Sequence, residues 1–172
     1  SLCDGGVFQP TSNQGENSNV IIQFENCRPL IGDQVFVAPD AQVIGAVTLG
    51  GQSSVWYGAI LRGDIGSITV GARTNIQDRA VVHVTTAQFD TRVGDDVTIG
   101  HAAIVHGCTV GDRVLIGMGA IVLDGAVIDS ESLIAAGAVV TPGMHVPSGV
   151  LVCGTPSRVV RALTQNEREQ HF

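Results

Sequence analysis

The sequence contains no lysine, so all nine basic residues are arginines, and they are spread along the chain rather than clustered. With a net charge of -7, that removes the basic patch a nucleic-acid partner would need. Aromatics make up only 4% of 172 residues, so the core must be built from aliphatics. No apolar run approaches the roughly 20 residues that span a bilayer. The four cysteines, Cys3, Cys27, Cys108 and Cys153, show neither CxxC nor zinc-finger spacing, which predicts free, buried thiols in a reducing, cytoplasmic setting rather than a disulfide scaffold. Glutamate is missing between Glu25 and Glu131.

What is abundant is glycine, 22 residues, together with valine and isoleucine in an apolar content of 44%. This composition favours many short strands joined by tight turns, with enough apolar mass for one domain. Residues 1–19 are polar and lack an apolar signal core, so they read as a flexible N-terminal tail preceding the fold.

From Ile31 an aliphatic residue recurs every six positions: Ile31, Val37, Val43, Leu49, Val55 and Leu61. The register jumps and resumes at Val70, Ile76 and Val82, then at Val93, Ile99 and Val105. From Val110 it runs through Ile116, Val122, Ile128, Ile134, Val140 and Val146 to Val152, giving twenty hexads in all. A fixed period of six predicts an all-β fold, a parallel β-helix of triangular cross-section, over residues 20–156. Eight consecutive hexads without a slip disfavour a β-sandwich of irregular strands. Residues 66–69 and 84–92 fall outside the period and are expected as protruding loops. Beyond Gly154-Thr155-Pro156 the period stops; Thr164 to Glu167 form a capping-box pattern, and residues 157–172 are expected as a C-terminal helix packed on the prism.

The repeat also decides where the histidines lie. Leu61, Val82 and Val105 are each three hexads apart, one full turn, so the following residues Arg62, His83 and His106 should form a column about one strand spacing apart. His101 belongs to the hexad of Ile99, one side away. A single ion held by His83, His101 and His106 therefore requires side-by-side prisms, most simply a homotrimer with sites between subunits. Three imidazoles leave a fourth tetrahedral position for water, the pattern of catalytic zinc, whose bound hydroxide attacks a small electrophile. The competing readings are hydrogen-bonded structural histidines, or one histidine serving as general base in a hexapeptide acyltransferase. His145 and His171 lie outside the column.

Several segments carry a resemblance: Val55-Trp56-Tyr57-Gly58, Leu61-Arg62-Gly63-Asp64, Thr74-Asn75-Ile76-Gln77-Asp78, Val82-His83, Ile99-Gly100-His101, Val105-His106-Gly107-Cys108 and Ile116-Gly117-Met118-Gly119-Ala120. Over about residues 34–163 the chain resembles the gamma-class carbonic anhydrases and their short homologues. The resemblance implies a left-handed coil, a trimer, and Zn2+ bound by His83, His101 and His106, with Fe2+ or Co2+ as alternative occupants. It implies a catalytic set of Gln77 and Asn75 beside the metal-bound water, with Arg62 and Asp64 as an interface ion pair, and a reaction converting carbon dioxide to bicarbonate. The chain departs from the pattern in one respect: the glutamates that export protons in active members are missing, which predicts slow turnover unless buffer or Asp90 substitutes. Short homologues include bacterial cytosolic proteins and the carbonic-anhydrase-like subunits of mitochondrial complex I, so a scaffold role, a mitochondrial location and a heterotrimer are the alternatives implied.

Overall fold

The computed structural model describes residues 20–171, so the polar tail lies outside the described residues, as does Phe172. The chain winds into a parallel β-helix of about seven turns. All twenty hexad aliphatics lie in strands. On one side of the prism Val43, Leu61, Val82, Val105, Val122 and Val140 are successive register partners. On the second, Ile31, Leu49, Val70, Val93, Val110, Ile128 and Val146 stack in the same way. The third carries Val37, Val55, Ile76, Ile99, Ile116, Ile134 and Val152. Every one is buried except Ile31 and Val37, which lie in the first coil and have no full coil beneath them. Burying each such aliphatic contributes roughly 1.5–3 kcal/mol, offset by the chain entropy lost on ordering the coil.

Each hexad has a second inward position two residues before its aliphatic. Ala59, Ala80, Ala103, Ala120 and Ala138 occupy it along one side, all at most 1% exposed. On the third side the place is taken by Ser53, Thr74, Val97, Val114 and Ser132. The hydroxyls there are satisfied by carbonyls, with Ser53 donating to Gly71 at 2.8 Å, Thr74 to Gly94 at 2.8 Å and Ser132 to Pro147 at 2.9 Å.

Several expectations are corrected. Residues 66–69 do not protrude: Ile60–Val70 is one strand that turns a corner and pairs with Gln42–Leu49, and its register shift lies between Gly45 and Val47 of the partner. The three surplus residues form a bulge, because Ile68 and Val70 both find inward places and pull residues 68–70 back into the ladder. The second insertion leaves the coil as a turn closed by the Thr85–Phe89 bridge, but it folds back over the outer face, with Phe89 beside Gly107 and Gly125, and Thr91 and Arg92 have already rejoined a strand.

The C-terminal segment is also corrected. Ser157–Ala162 is a strand antiparallel to Val150–Gly154, and only Gln165–His171 is helical. Val159 and Val160 favour extended backbone, and the last coil offers an open edge to pair with. The capping box forms as expected: the Thr164 amide donates to Glu167 Oε2 at 2.9 Å and the Glu167 amide to Thr164 Oγ1 at 3.2 Å. Arg168 ties the helix to the prism through Glu131 at 3.3 Å. Of the cysteines, Cys108 and Cys153 are free, whereas Cys27 is disulfide-bonded, against the expectation of free thiols throughout.

Candidate metal centre

His83 and His106 each follow an inward valine, so each side chain must leave the same outer face of the prism. They are register partners on adjacent coils. Their ring centroids are 5.0 Å apart, and His83 Nδ1 lies 3.0 Å from His106 Nε2. The remaining nitrogens point away, each to a carboxylate. His83 Nε2 lies 3.0 Å from Asp64 Oδ1, and His106 Nδ1 lies 2.6 Å from Asp124 Oδ1.

Arg62 ion-pairs with Asp64, and Thr85 Oγ1 donates to Asp124 Oδ2 at 2.8 Å. Burial pushes both carboxyls up. For Asp64 the His83 hydrogen bond and the Arg62 charge outweigh it; for Asp124 the bonds from His106 and Thr85 do, so both end below the usual carboxylate range.

An ionised carboxylate can only accept, so each outer imidazole nitrogen carries a proton and each inner nitrogen of the neutral ring presents a lone pair. A proton shared between the two inner nitrogens makes the 3.0 Å contact a hydrogen bond; without it, two facing lone pairs repel unless a metal cation lies between them. Nitrogens bound to one tetrahedral zinc lie about 3.3 Å apart, so a small outward shift accommodates the ion. Carboxylate behind imidazole behind metal is the usual support of a histidine-ligated site. The pair therefore fits two ligands of such a centre.

The structure brings some of the expected residues together and not others. Arg62, Asp64, His83 and His106 converge. His101 lies beyond Thr98–Ile99 on another side, half exposed, with Nδ1 2.8 Å from Asp78 Oδ2. Among the described residues no single-chain group of three or more His, Cys, Asp or Glu is arranged to hold a metal. Asn75 and Gln77 belong to that same third side; Asn75 Oδ1 accepts from Ser54 Oγ at 3.1 Å. Asp90 caps the bulge, accepting from the Ser67 amide at 2.8 Å. His145 pairs with Asp129 at 2.8 Å, away from this cluster in the repeat.

The sequence assigns no role to Asp124 or Thr85, and it includes Asp78 only as the end of the Thr74–Asp78 segment. A signal for the first existed: Val122 stacks directly on Val105, so the column that yields His106 continues into Leu123-Asp124. Nothing in the repeat marks Thr85, which reaches the site only because its turn folds back over the face.

The model of the family described as bacterial transferase hexapeptide (six repeats) matches residues 107–142. Over 144 residues, 81% of this chain, the sequence is 48% identical to gamma carbonic anhydrase 1, mitochondrial, of Arabidopsis thaliana, but it spans only 52% of that protein, about half its length. A probable carbonic anhydrase of Methanocaldococcus jannaschii is 46% identical over 138 residues, covering 80% of this chain and 86% of the relative. Among solved structures, a hexapeptide transferase family protein from Anaplasma phagocytophilum superposes with a TM-score of 0.85 at 42% identity, covering 88% of this chain and 89% of its own.

Proposed function

The chain belongs to the gamma-class carbonic anhydrase family of hexapeptide-repeat proteins, and from that premise we propose that it hydrates carbon dioxide reversibly at a metal centre shared between subunits of a homotrimer. The observation that carries this reading is the facing pair of lone-pair nitrogens on His83 and His106, each ring backed by its own carboxylate. His101, a full side of the prism away, is then the third ligand of a neighbouring subunit's pair. That arrangement uses all three histidines and repeats under cyclic symmetry.

Zinc bound there would supply Lewis acidity that brings the pKa of a water down to about 7, and ferrous iron or cobalt could serve in its place. The chain's own groups do the positioning. Asp64 and Asp124 hold the two imidazoles in the tautomers that present free lone pairs inward, and Arg62 fixes Asp64. With its Oδ1 occupied by Ser54, Asn75 keeps its amide N–H groups for a substrate oxygen, and Gln77 offers a second amide beside it.

Proton export is the weak step. Asp64 and Asp124, the carboxylates at the histidine pair, are held ionised with pKa values below the usual range, which makes them poor proton acceptors near neutral pH. Turnover is therefore expected to be slow and to rise with buffer concentration. Stopped-flow hydration assays on protein of known metal content, across a buffer series and against His106→Ala, test this. A fully metallated trimer inactive at every buffer concentration would overturn the enzymatic reading. It would favour the scaffold role, for which the missing proton acceptor is the specific support. The mitochondrial name of the Arabidopsis relative favours a mitochondrial location in either case.

A further inference from the structure

Asp124 stands eighteen residues beyond His106, one coil further along the prism, and both of its oxygens are engaged. Oδ1 accepts from His106 Nδ1 at 2.6 Å, and Oδ2 accepts from Thr85 Oγ1 at 2.8 Å. The two contacts come from different parts of the chain: one from the strand Ile104–His106, the other from the turn between Val81–His83 and Thr91–Val93. Asp64 holds the other imidazole but is itself paired with Arg62, so the two carboxylates are not equivalent. Asp124 takes its contacts from His106 and Thr85 rather than from an arginine among the described residues, and it fixes its imidazole while also fastening the turn that covers the face.

We propose that Asp124 is the positioning residue for His106: it selects the Nδ1–H tautomer, presents Nε2 toward His83, and through Thr85 keeps the 84–90 turn seated beside the pair. The proposal rests on the metal reading above for its consequence, but the tautomer it specifies exists without metal. Losing the acceptor frees the imidazole to take the Nε2–H form, which places a proton where the ligand lone pair must be. Replacement by asparagine keeps an acceptor for Nδ1–H, and its amide can donate to the Thr85 hydroxyl, so the geometry survives without the charge.

The experiment compares the full-length wild-type protein with Asp124→Ala and Asp124→Asn in two measurements. Long-range nitrogen–proton correlation spectra of metal-free protein report the His106 tautomer. Competition against a chromophoric chelator reports zinc affinity. The wild type and Asp124→Asn should show Nδ1–H at His106, and Asp124→Ala should shift toward Nε2–H and bind zinc on the order of 10- to 100-fold more weakly. Should the tautomer or the affinity be unchanged in Asp124→Ala, or should Asp124→Asn behave like Asp124→Ala, the positioning role is wrong. If the tautomer shifts as expected but the wild type binds no zinc, positioning stands and the metal reading falls.

Discussion

His83 Nδ1 and His106 Nε2 face each other at 3.0 Å across one step of the coil, while His101 is engaged with Asp78 on a different side of the prism. If these three histidines hold one metal as proposed, two ligands on one face and a third on another make a site that a single chain opens but does not close. The rigidity of the stack makes this a strong constraint, since each residue is pinned by ladders above and below.

Mixed assemblies separate a shared site from a local one. Alone, His101→Ala and His106→Ala should each lose metal, because every site lacks one ligand. When the two variants are unfolded together and reassembled, each mixed trimer contains one interface where an intact His83–His106 pair meets an intact His101. Metal content and hydration activity should return in part. If mixing restores neither, the ligands do not come from different subunits.

Much of this architecture was legible because the period of six is a direct imprint of burial. Leu61, Val82 and Val105 could be placed on one side by counting, and the His83–His106 partnership followed. Counting could not place the surplus residues between Leu61 and Val70. A bulge and a loop have the same length in sequence, and the burial of Ile68 decides between them. It also failed for Arg62: beyond Leu61 its strand pairs with Gln42–Leu49 and leaves the ladder it shares with Val81–His83, so Arg62 reaches the site through Asp64 and not as a third member of the column. For residues 157–162 the charge and the capping box downstream point to a helix, but an open sheet edge outweighs weak helix propensity.

Cys108, two residues past His106, is the free, buried thiol that the sequence predicts. It is 1% exposed, and burial pushes its thiol up to about 12. A group whose folded pKa is raised contributes stability below its ordinary value near 9, and that contribution fades as pH climbs toward 12. Thiol reagents at pH 8 should therefore leave Cys108 unmodified in the native protein and label it after denaturation, and thermal stability should decline above pH 9. Rapid native labelling at Cys108, read by peptide mass spectrometry, would contradict this.

The C-terminal helix depends on one carboxylate. Glu167 takes hydrogen bonds from Arg161 at 2.7 Å and from the Thr164 amide at 2.9 Å, which hold it well below the usual carboxylate range. A depressed folded pKa gives stability that is complete above the ordinary glutamate pKa near 4.5 and lost as pH falls through the folded value. Amide exchange at Thr164 should thus stay slow at neutral pH and accelerate only in strong acid. Glu167→Ala should remove the protection at every pH without changing exchange in the central coils.

The stack's tolerance at its corners can be tested at two glycines two positions apart. A Cβ on Gly117 would lie 2.5 Å from the Ala136 nitrogen, 2.7 Å from the Ala135 carbonyl carbon and 2.8 Å from the Ile134 oxygen, all backbone of the next coil. Those atoms cannot rotate aside; relief requires prying two coils apart, which breaks the ladder between Leu115–Ile116 and Leu133–Ile134. Gly119 has open space around the same hypothetical atom but a φ of +64°, so alanine there meets only backbone strain. Gly119→Ala should cost about 1 kcal/mol. Gly117→Ala should destabilise by at least as much as Ile116→Ala, which removes a fully buried side chain and costs about 2–5 kcal/mol. Urea midpoints of the three variants give the order directly. If Gly117→Ala proved as mild as Gly119→Ala, the coils would have to separate more easily than their continuous backbone ladders allow.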